Sequence, residues 1–480
     1  MSISAAFNSA ISGLTVAKRV SQMVSENIAN AMTPGYTRRS AELGSNLQSS
    51  RGVQMVGVQR HSDPAITANR RNADAEQGNA KVIADFHSRF QDLLGDPTDA
   101  ASITQKLAQF ESSLIAAASR PDSAQRLDAV AGSASDLAKS FIHASDGLRE
   151  LRHQADREIG VQVDQLNAAL KQIHTLNKTI TAATVSGQST DAFLDQRQKV
   201  VDQINNNIPI NVVSRDNGQI ALYTDGGAII LDGPAGTFGF ESVRDAHAHI
   251  TLGNGQLSGL TLNSLSLRTA AAGPIGGGTL SALFEVRDIL APQAQSELDV
   301  VAGDLIERFE NADPTLATGE AGLFTDAGDR FDEGNIIGLA GRLHLNARAD
   351  PKASGKTWRL RAGIGAQSAG ATGDARQLQR FIASLSQQRP TIASGFGTGQ
   401  FNASDLSSSM LSFAAHRSTR ADHTLGFAAA AQVELNRIEQ QLGVDTDAEL
   451  QTLMAIEHLY GANARMIQAL DDMMKTILRL

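Results

Sequence analysis

Apolar positions at both ends of the chain recur in alternating steps of four and three. Near the start the series runs Ile3, Phe7, Ala10, Leu14, Ala17, Ser21, Val24 and Ile28. Near the end it runs Leu453, Ile456, Tyr460, Asn463, Ile467, Leu470, Met474 and Ile477. Heptad spacing of this kind draws a stripe down one side of a helix, and the stripe needs a partner helix. Chain ends ordinarily fray. Sticky helices at both ends therefore predict a chain that polymerises or pairs its own ends. Two amphipathic helices on an ordinary core are the plainer alternative.

Between the ends the period changes several times. Residues 37–72 read as extended and turn-rich, and a helical pattern starts near Ala73 and breaks at Gly95-Asp96-Pro97. A second helix covers 99–119 and stops at Arg120-Pro121-Asp122. A third spans 124–185 without a proline and carries the stripe Val163, Leu166, Leu170, Ile173, Asn177 and Ile180. Unbroken, it would be about 90 Å long, with Gly132, Gly147 and Gly160 as candidate kinks. From Pro209 the pattern is strand-like. Arg215-Asp216-Asn217-Gly218 forms a hairpin turn signal between two apolar runs, and 228–231 and 257–267 continue the strands. Gly276-Gly277-Gly278 reads as a linker, 280–309 as helix bent at Pro292, 343–345 and 357–361 as strands, and the chain beyond 374 as helix.

This order predicts a mainly α fold with inserted β. A helical-bundle stem is formed by both halves of the chain, with coiled-coil terminal helices and one β-rich outer domain. The expected segments are 1–60 and 434–480 for the terminal coiled-coil domain and 61–205, 278–325 and 368–433 for the stem. The outer domain takes 206–277 and 326–367. Insertions into a stem are tolerated where their connecting ends lie close together.

Composition narrows the function classes. Aromatic residues make up 4% of the chain and cysteine is absent, which suits long thin helical assemblies and excludes disulfide and thiolate chemistry. The net charge of −9 and the lack of a Lys/Arg cluster argue against nucleic-acid binding. No apolar run approaches the roughly 20 residues that a bilayer span needs. Ala29-Asn30-Ala31 imitates a signal-peptidase site, but no basic n-region precedes it, and Asn8, Ser9, Ser12, Lys18 and Arg19 interrupt any apolar core. The two ends carry opposite charge. Six basic residues stand against two acidic ones in 1–60, and four against eight in 434–480.

The segment after the first helix reads Asn27-Ile28-Ala29-Asn30-Ala31-Met32-Thr33-Pro34-Gly35-Tyr36-Thr37-Arg38-Arg39. Pro34-Gly35 suits the central positions of a type II turn. This string, with Phe7-Asn8-Ser9-Ala10-Ile11-Ser12-Gly13-Leu14, resembles the N-terminal motif of bacterial flagellar rod, hook and hook-associated proteins. Asn27, Asn30, Pro34, Gly35, Tyr36 and Arg38 carry the motif. The ending of that string, Leu194-Asp195-Gln196-Arg197 and the closing stretch from Gly443 to Met473 resemble the hook-associated protein 1 family, the first hook–filament junction proteins. Glu457-His458-Leu459 departs from the family's usual glutamine-rich sequence, and the middle of the chain is short for the family.

The resemblance implies a structural, non-enzymatic subunit without cofactor or metal, exported through the flagellar type III apparatus to the hook–filament junction. It implies partners: other copies in a ring, hook protein, the second junction protein and an export chaperone. It also implies an assembly surface on the terminal helices, at Phe7, Leu14, Val24, Ile28, Leu453, Ile456, Tyr460, Asn463, Ile467, Leu470, Met474 and Ile477. A hook or rod subunit is the alternative, and a secreted enzyme with an inserted β domain a remote one. Three features could carry other chemistry. Gly355-Lys356-Thr357 ends like a P-loop, but Asp350 stands where a glycine is required, so a β-hairpin turn is expected. His247 and His249 would share a face of a strand without a third ligand. Asp326, Asp329, Asp332 and Glu333 lack the spacing of a calcium loop.

Overall fold

The computed structural model describes residues 3–33, 35–45, 52–243, 247–390 and 399–478. Its stem is built on α4 (Ala124–Val185), an unbroken helix of 62 residues that passes through Gly132, Gly147 and Gly160 without interruption. Ser123 starts it by accepting a hydrogen bond from the Arg126 amide. Leu127, Val130, Leu137, Phe141, Leu148, Ile159, Val163, Leu166, Leu170 and Ile173 are buried along it. They supply one side of a continuous core. The other side comes from α2 (Pro64–Leu94), α3 (Ile103–Ser119), α6 (Thr279–Glu285), α7 (Ala291–Asn311), α9 (Arg376–Ser386) and α10 (Ala403–Gln441). Phe110, Phe309, Phe324 and Phe381 meet at its centre, with ring centroids 5.1–5.6 Å apart.

Helix α2 begins at Pro64, well before the expected start near Ala73. The Asp63 carboxylate accepts from the Ala65 and Ile66 amides, and proline is harmless at the first position, where no partner awaits its missing N–H. The buried positions of this first half are Thr67, Arg70, Ala73, Ala75, Gly78 and Ala80. Small and polar residues leave no apolar stripe to read. They pack α2 against α10 in antiparallel fashion, with Thr67 and Arg70 on Glu439 and Asp74 on Gln432.

The β residues form five small antiparallel sheets among the described residues. The RDNG hairpin is present: β3 (Ile210–Ser214) pairs with β4 (Ile220–Thr224), and β5 (Ile229–Leu231) adds to β4. A second sheet joins β6 (Phe238–Gly239), β7 (Leu260–Leu262) and β8 (Leu265–Leu267). The pair β9 (Phe324–Asp326) and β10 (Leu343–Leu345) is separate and lies against α4. Helix α5 (Asp191–Asn207) leads from α4 into β3. Residues 286–290 form a π turn between α6 and α7, one turn ahead of Pro292. The added residue absorbs the backbone break expected at that proline.

Two strand expectations fail. Residues Trp358–Ala362 are a short helix, α8. Alternating apolar and basic residues suggested a strand, but the arginines serve loop carbonyls: Arg359 donates to the Ile364 and Ala366 oxygens, and Arg361 to those of Pro121 and Ala369. His247 and His249 lie in a turn, where the period-two argument does not apply. Beyond α9, β11 (Arg389–Pro390) and β12 (Gln400–Phe401) interrupt the expected run of helix.

Candidate assembly surface at the paired chain ends

Helix α1 (Ile3–Ala29) and helix α11 (Thr446–Leu478) pack against each other in opposite directions, with Gly13 beside Asn463 and Asn27 beside Glu449. The Asp445 carboxylate starts α11 by accepting from the Asp447 and Ala448 amides. The connected apolar cluster of the pair is small: Ala17, Val24 and Ile456 form it, flanked by Val20, Ile28 and Leu453. At Gly13 the backbones come close: a β-carbon there would sit 2.8 Å from Asn463 Nδ2. The polar Asn463 thus fits only against a glycine, which favours one register.

The residues read as one stripe on α11 divide into three. Glu449, Ile456, Asn463 and Leu470, seven apart, form the line facing α1; Ile456 and Leu470 are buried and Asn463 half-buried. Leu453 and Ile467 flank it, half-buried. Tyr460, expected at the centre of the seam, is 50% exposed, and Met474 and Ile477 are 42% and 57% exposed. Tyr460 and Met474 belong to one flank of the line, and Ile477 extends past the described start of α1. On the other flank Leu459, Met466 and Met473, again seven apart, are exposed as well. On α1, Val24 is buried and Phe7, Leu14 and Ile28 are half-buried.

Asn27 explains the motif that follows α1. Its side chain is buried and uses every bond it can make. Nδ2 donates to the Arg39 carbonyl (2.8 Å) and to Glu449 Oε2 (3.2 Å). Oδ1 accepts from the Tyr36 hydroxyl (2.9 Å) and the Arg39 amide (3.1 Å). Arg38 Nε donates to Glu449 Oε1 at 2.7 Å, and the Glu449 side chain is 2% exposed. The attraction expected between oppositely charged ends is concentrated in this one contact. Asn30 closes the helix end locally through the Glu26 carbonyl and the Thr33 hydroxyl. Gly35 has φ +75°, the left-handed conformation that the turn requires, and lies against Lys199. Pro34 lies outside the described residues. Burial raises the pKa of the Tyr36 phenol, with the nearby Arg39 guanidinium opposing it.

Beyond this motif, the hairpin of β1 (Arg39–Ser45) and β2 (Val53–Arg60) rests on α1. Arg39 and Arg60 both donate to the Asp195 carboxylate on α5. Two residues further on, Arg197 points the other way, to Asn177 Oδ1 (2.9 Å) and the Gly218 carbonyl (2.6 Å). Glu449, Arg39 and Arg60 escaped notice as site residues. A charge seven positions before Ile456, on the apolar line itself, was the available signal for Glu449.

The other candidate chemistries are occupied by the fold. The Gly355 and Lys356 amides donate to the carbonyls of Asp350 and Arg348. They lead into α8 rather than a β-hairpin, and a phosphate would find those donors taken. Asp326 is held by Arg342, and Asp332 caps the Gly334 amide. No group of three or more His, Cys, Asp or Glu residues that could hold a metal occurs among the described residues, and no helix among them is long and apolar enough to cross a membrane.

Comparison with known proteins finds matches among proteins of the bacterial flagellum. Residues 440–480 match the flagellar basal body rod FlgEFG protein C-terminal model, and 87–319 match the flagellar hook-associated protein FlgK helical domain. Over these two segments the chain is similar to flagellar hook-associated and basal body rod proteins. Flagellar hook-associated protein 1 of Salmonella typhimurium is 30% identical over 240 residues, covering 48% of this chain and 43% of that protein. The Escherichia coli protein of the same name is 28% identical over 240 residues, so the chain spans less than half the length of these relatives. Flagellar hook-associated protein 1 of Bacillus subtilis is 22% identical over 499 residues, covering 94% of this chain and 93% of that protein. The solved hook junction protein FlgK of Burkholderia pseudomallei aligns with a TM-score of 0.44 and 17% identity, over 54% of this chain and 46% of that one.

Proposed function

We propose that this chain is a structural subunit of the flagellar hook–filament junction, located outside the cell and assembled through its paired ends. The observation that carries the reading is the unfinished packing of α11. Its central line is covered by α1, while Leu459, Met466 and Met473 on one side and Tyr460 and Met474 on the other stay open. Two helices cover one seam, and apolar stripes on both flanks fit a multi-helix assembly in which neighbouring copies lie on either side. The similarity to flagellar hook-associated protein 1 supports a location in a ring of copies between hook protein below and the second junction protein above. No catalytic role is assigned.

Before assembly the same flanks suit an export chaperone that reads a helix by its i, i+3, i+4 and i+7 anchors. Ile467→Asp is expected to weaken both chaperone binding and ring formation, because it places a charge where both partners must exclude water. Deleting the gene tests the function directly. The expected cells carry hooks without filaments and shed flagellin, and the Leu459→Asp/Met466→Asp variant fails to restore them. Deletion cells that keep their filaments would refute the junction role.

A further inference from the structure

The terminal unit (α1, the β1–β2 hairpin and α11) is joined to the stem by two chain connections and little else. Among the described residues, the ion pairs that cross between the two converge on one carboxylate, that of Asp195, which receives Arg39 and Arg60. The only other close approach described above is Gly35 against Lys199. The Asp195 side chain is 11% exposed and the two arginines 13% and 18%, so water screens these charges weakly.

The local charge balance gives Asp195 its importance. Arg197 lies within the field of Arg60 and is itself buried. Its pKa falls to about 10, chiefly from burial and then from Arg60. Two guanidinium groups thus share one carboxylate while a third, Arg197, lies within reach of their charge, with Glu26 reaching Arg39 from 3.8 Å as a supplement. Without Asp195 the hairpin would present two cations to a stem surface that already holds a third. Asp195 and Arg197 also face opposite ways from one turn of α5. The acid holds the terminal hairpin, and the base holds α4 through Asn177 and the β3–β4 turn through Gly218.

We infer that Asp195 is the clasp that docks the terminal unit on the stem, and that losing its charge frees the β1–β2 hairpin while both units stay folded. This assigns a mechanical role to Leu194-Asp195-Gln196-Arg197: one helical turn links the chain ends to the outer β3–β5 sheet. The clasp rests on the geometry of this chain and does not depend on the junction role.

Hydrogen exchange of the purified full-length chain tests it, read at β1 and β2, with circular dichroism reporting the stem. In the unaltered chain the hairpin amides are expected to be protected. Asp195→Arg should abolish that protection and leave the stem's unfolding midpoint unchanged. Asp195→Arg combined with Arg60→Asp keeps the number of charges and exchanges the two ends of one pair, so protection should return. Hairpin exchange that is the same with and without Asp195→Arg overturns the clasp. Loss that the exchanged pair does not restore also overturns it, because Asp195 would then act through something other than the hairpin arginines. Arg39→Gln/Arg60→Gln removes the cations instead of the acid and should expose the hairpin as Asp195→Arg does; continued protection counts against the clasp.

Discussion

The stem and the terminal pair use the same element, the long amphipathic helix, and finish it differently. The stem has a continuous core: Phe110, Phe309, Phe324 and Phe381 lie within it, and even the charged Arg287 and Asp156 are fully buried as a pair 2.8 Å apart. The terminal pair buries Ala17, Val24 and Ile456 and leaves both flanks of α11 open. Its specificity comes from polar contacts instead, above all the four hydrogen bonds of Asn27 and the Arg38–Glu449 pair. One region closes a continuous core within a single chain. The other has a fixed register and an unfinished surface, which is what a subunit needs if order is to precede assembly.

The sharpest way to break the contrast is a cavity in the stem. Phe309→Ala should lower the stability of the whole molecule by about 3–5 kcal/mol, seen as a reduced midpoint in urea. A loss confined to the terminal helices would mean that the stem core does not carry global stability. Asn27→Ala should do the reverse. It leaves the Arg39 amide and carbonyl without their Asn27 partner, at about 1–3 kcal/mol for each buried group left unsatisfied, and takes one of its bonds from Glu449. Amide exchange should accelerate in α1 and α11 while the stem midpoint holds; an equal change in both regions would merge them into one cooperative unit.

Acidity should act on the stem through two groups of opposite sign. His87 is buried between α2 and α10, and burial, aided by Arg417, lowers its pKa from 6.5 to about 4. The folded state therefore binds fewer protons than the unfolded one, and stability present above pH 6.5 is lost as the pH falls towards 4. Asp299 on α7 is raised from 3.8 to about 6 by burial, although the Gly338 and Ala340 amides and Gln295 hydrogen-bond to it. Its contribution is fullest below pH 3.8 and is lost as the pH rises through 6. Because the two oppose each other, the parent chain alone conceals them. His87→Gln should melt with less loss between pH 6.5 and 4 than the parent, and Asp299→Asn should lose less between pH 4 and 6. Parallel pH profiles for parent and variants would remove both groups from the account. The smallest effect is expected at Lys356, where Lys356→Ala should stay within about 0.5 kcal/mol and leave motility intact. A non-motile strain with normal protein levels would reopen the question of a ligand at that turn.

The sequence disclosed those features whose cause is local. The heptad stripes, the turn at Gly35, the RDNG hairpin and the 62-residue helix each follow from residues a few positions apart. Contacts across the chain were not legible. Asn27 meets Glu449 over 422 positions, and Asp195 meets Arg39 over 156. Periodicity also could not say how many partners a helix has. Tyr460 and Ile456 both fit the stripe, and only the position of α1 separates the exposed residue from the buried one. The start of α2 stayed hidden because alanine, glycine and threonine fill its buried face. Arg359 and Arg361 produced a false strand because the carbonyls they serve come from loops that the local pattern does not reveal.

The 422-residue span between Asn27 and Glu449 also imposes an order of events. Loop-closure entropy grows slowly with length, so the distance adds little to the final stability. It adds a delay: among the described helices α1 is made before all the others and its partner α11 after them. Every other helix can find its neighbours while Asn27 still lacks Glu449 and Gly13 still lacks Asn463. The closing of the pair therefore reports that translation has passed α11. A product stopped between α10 and α11 would keep the helices of its stem but leave the α1 stripe bare, marked as incomplete by the surface it fails to cover.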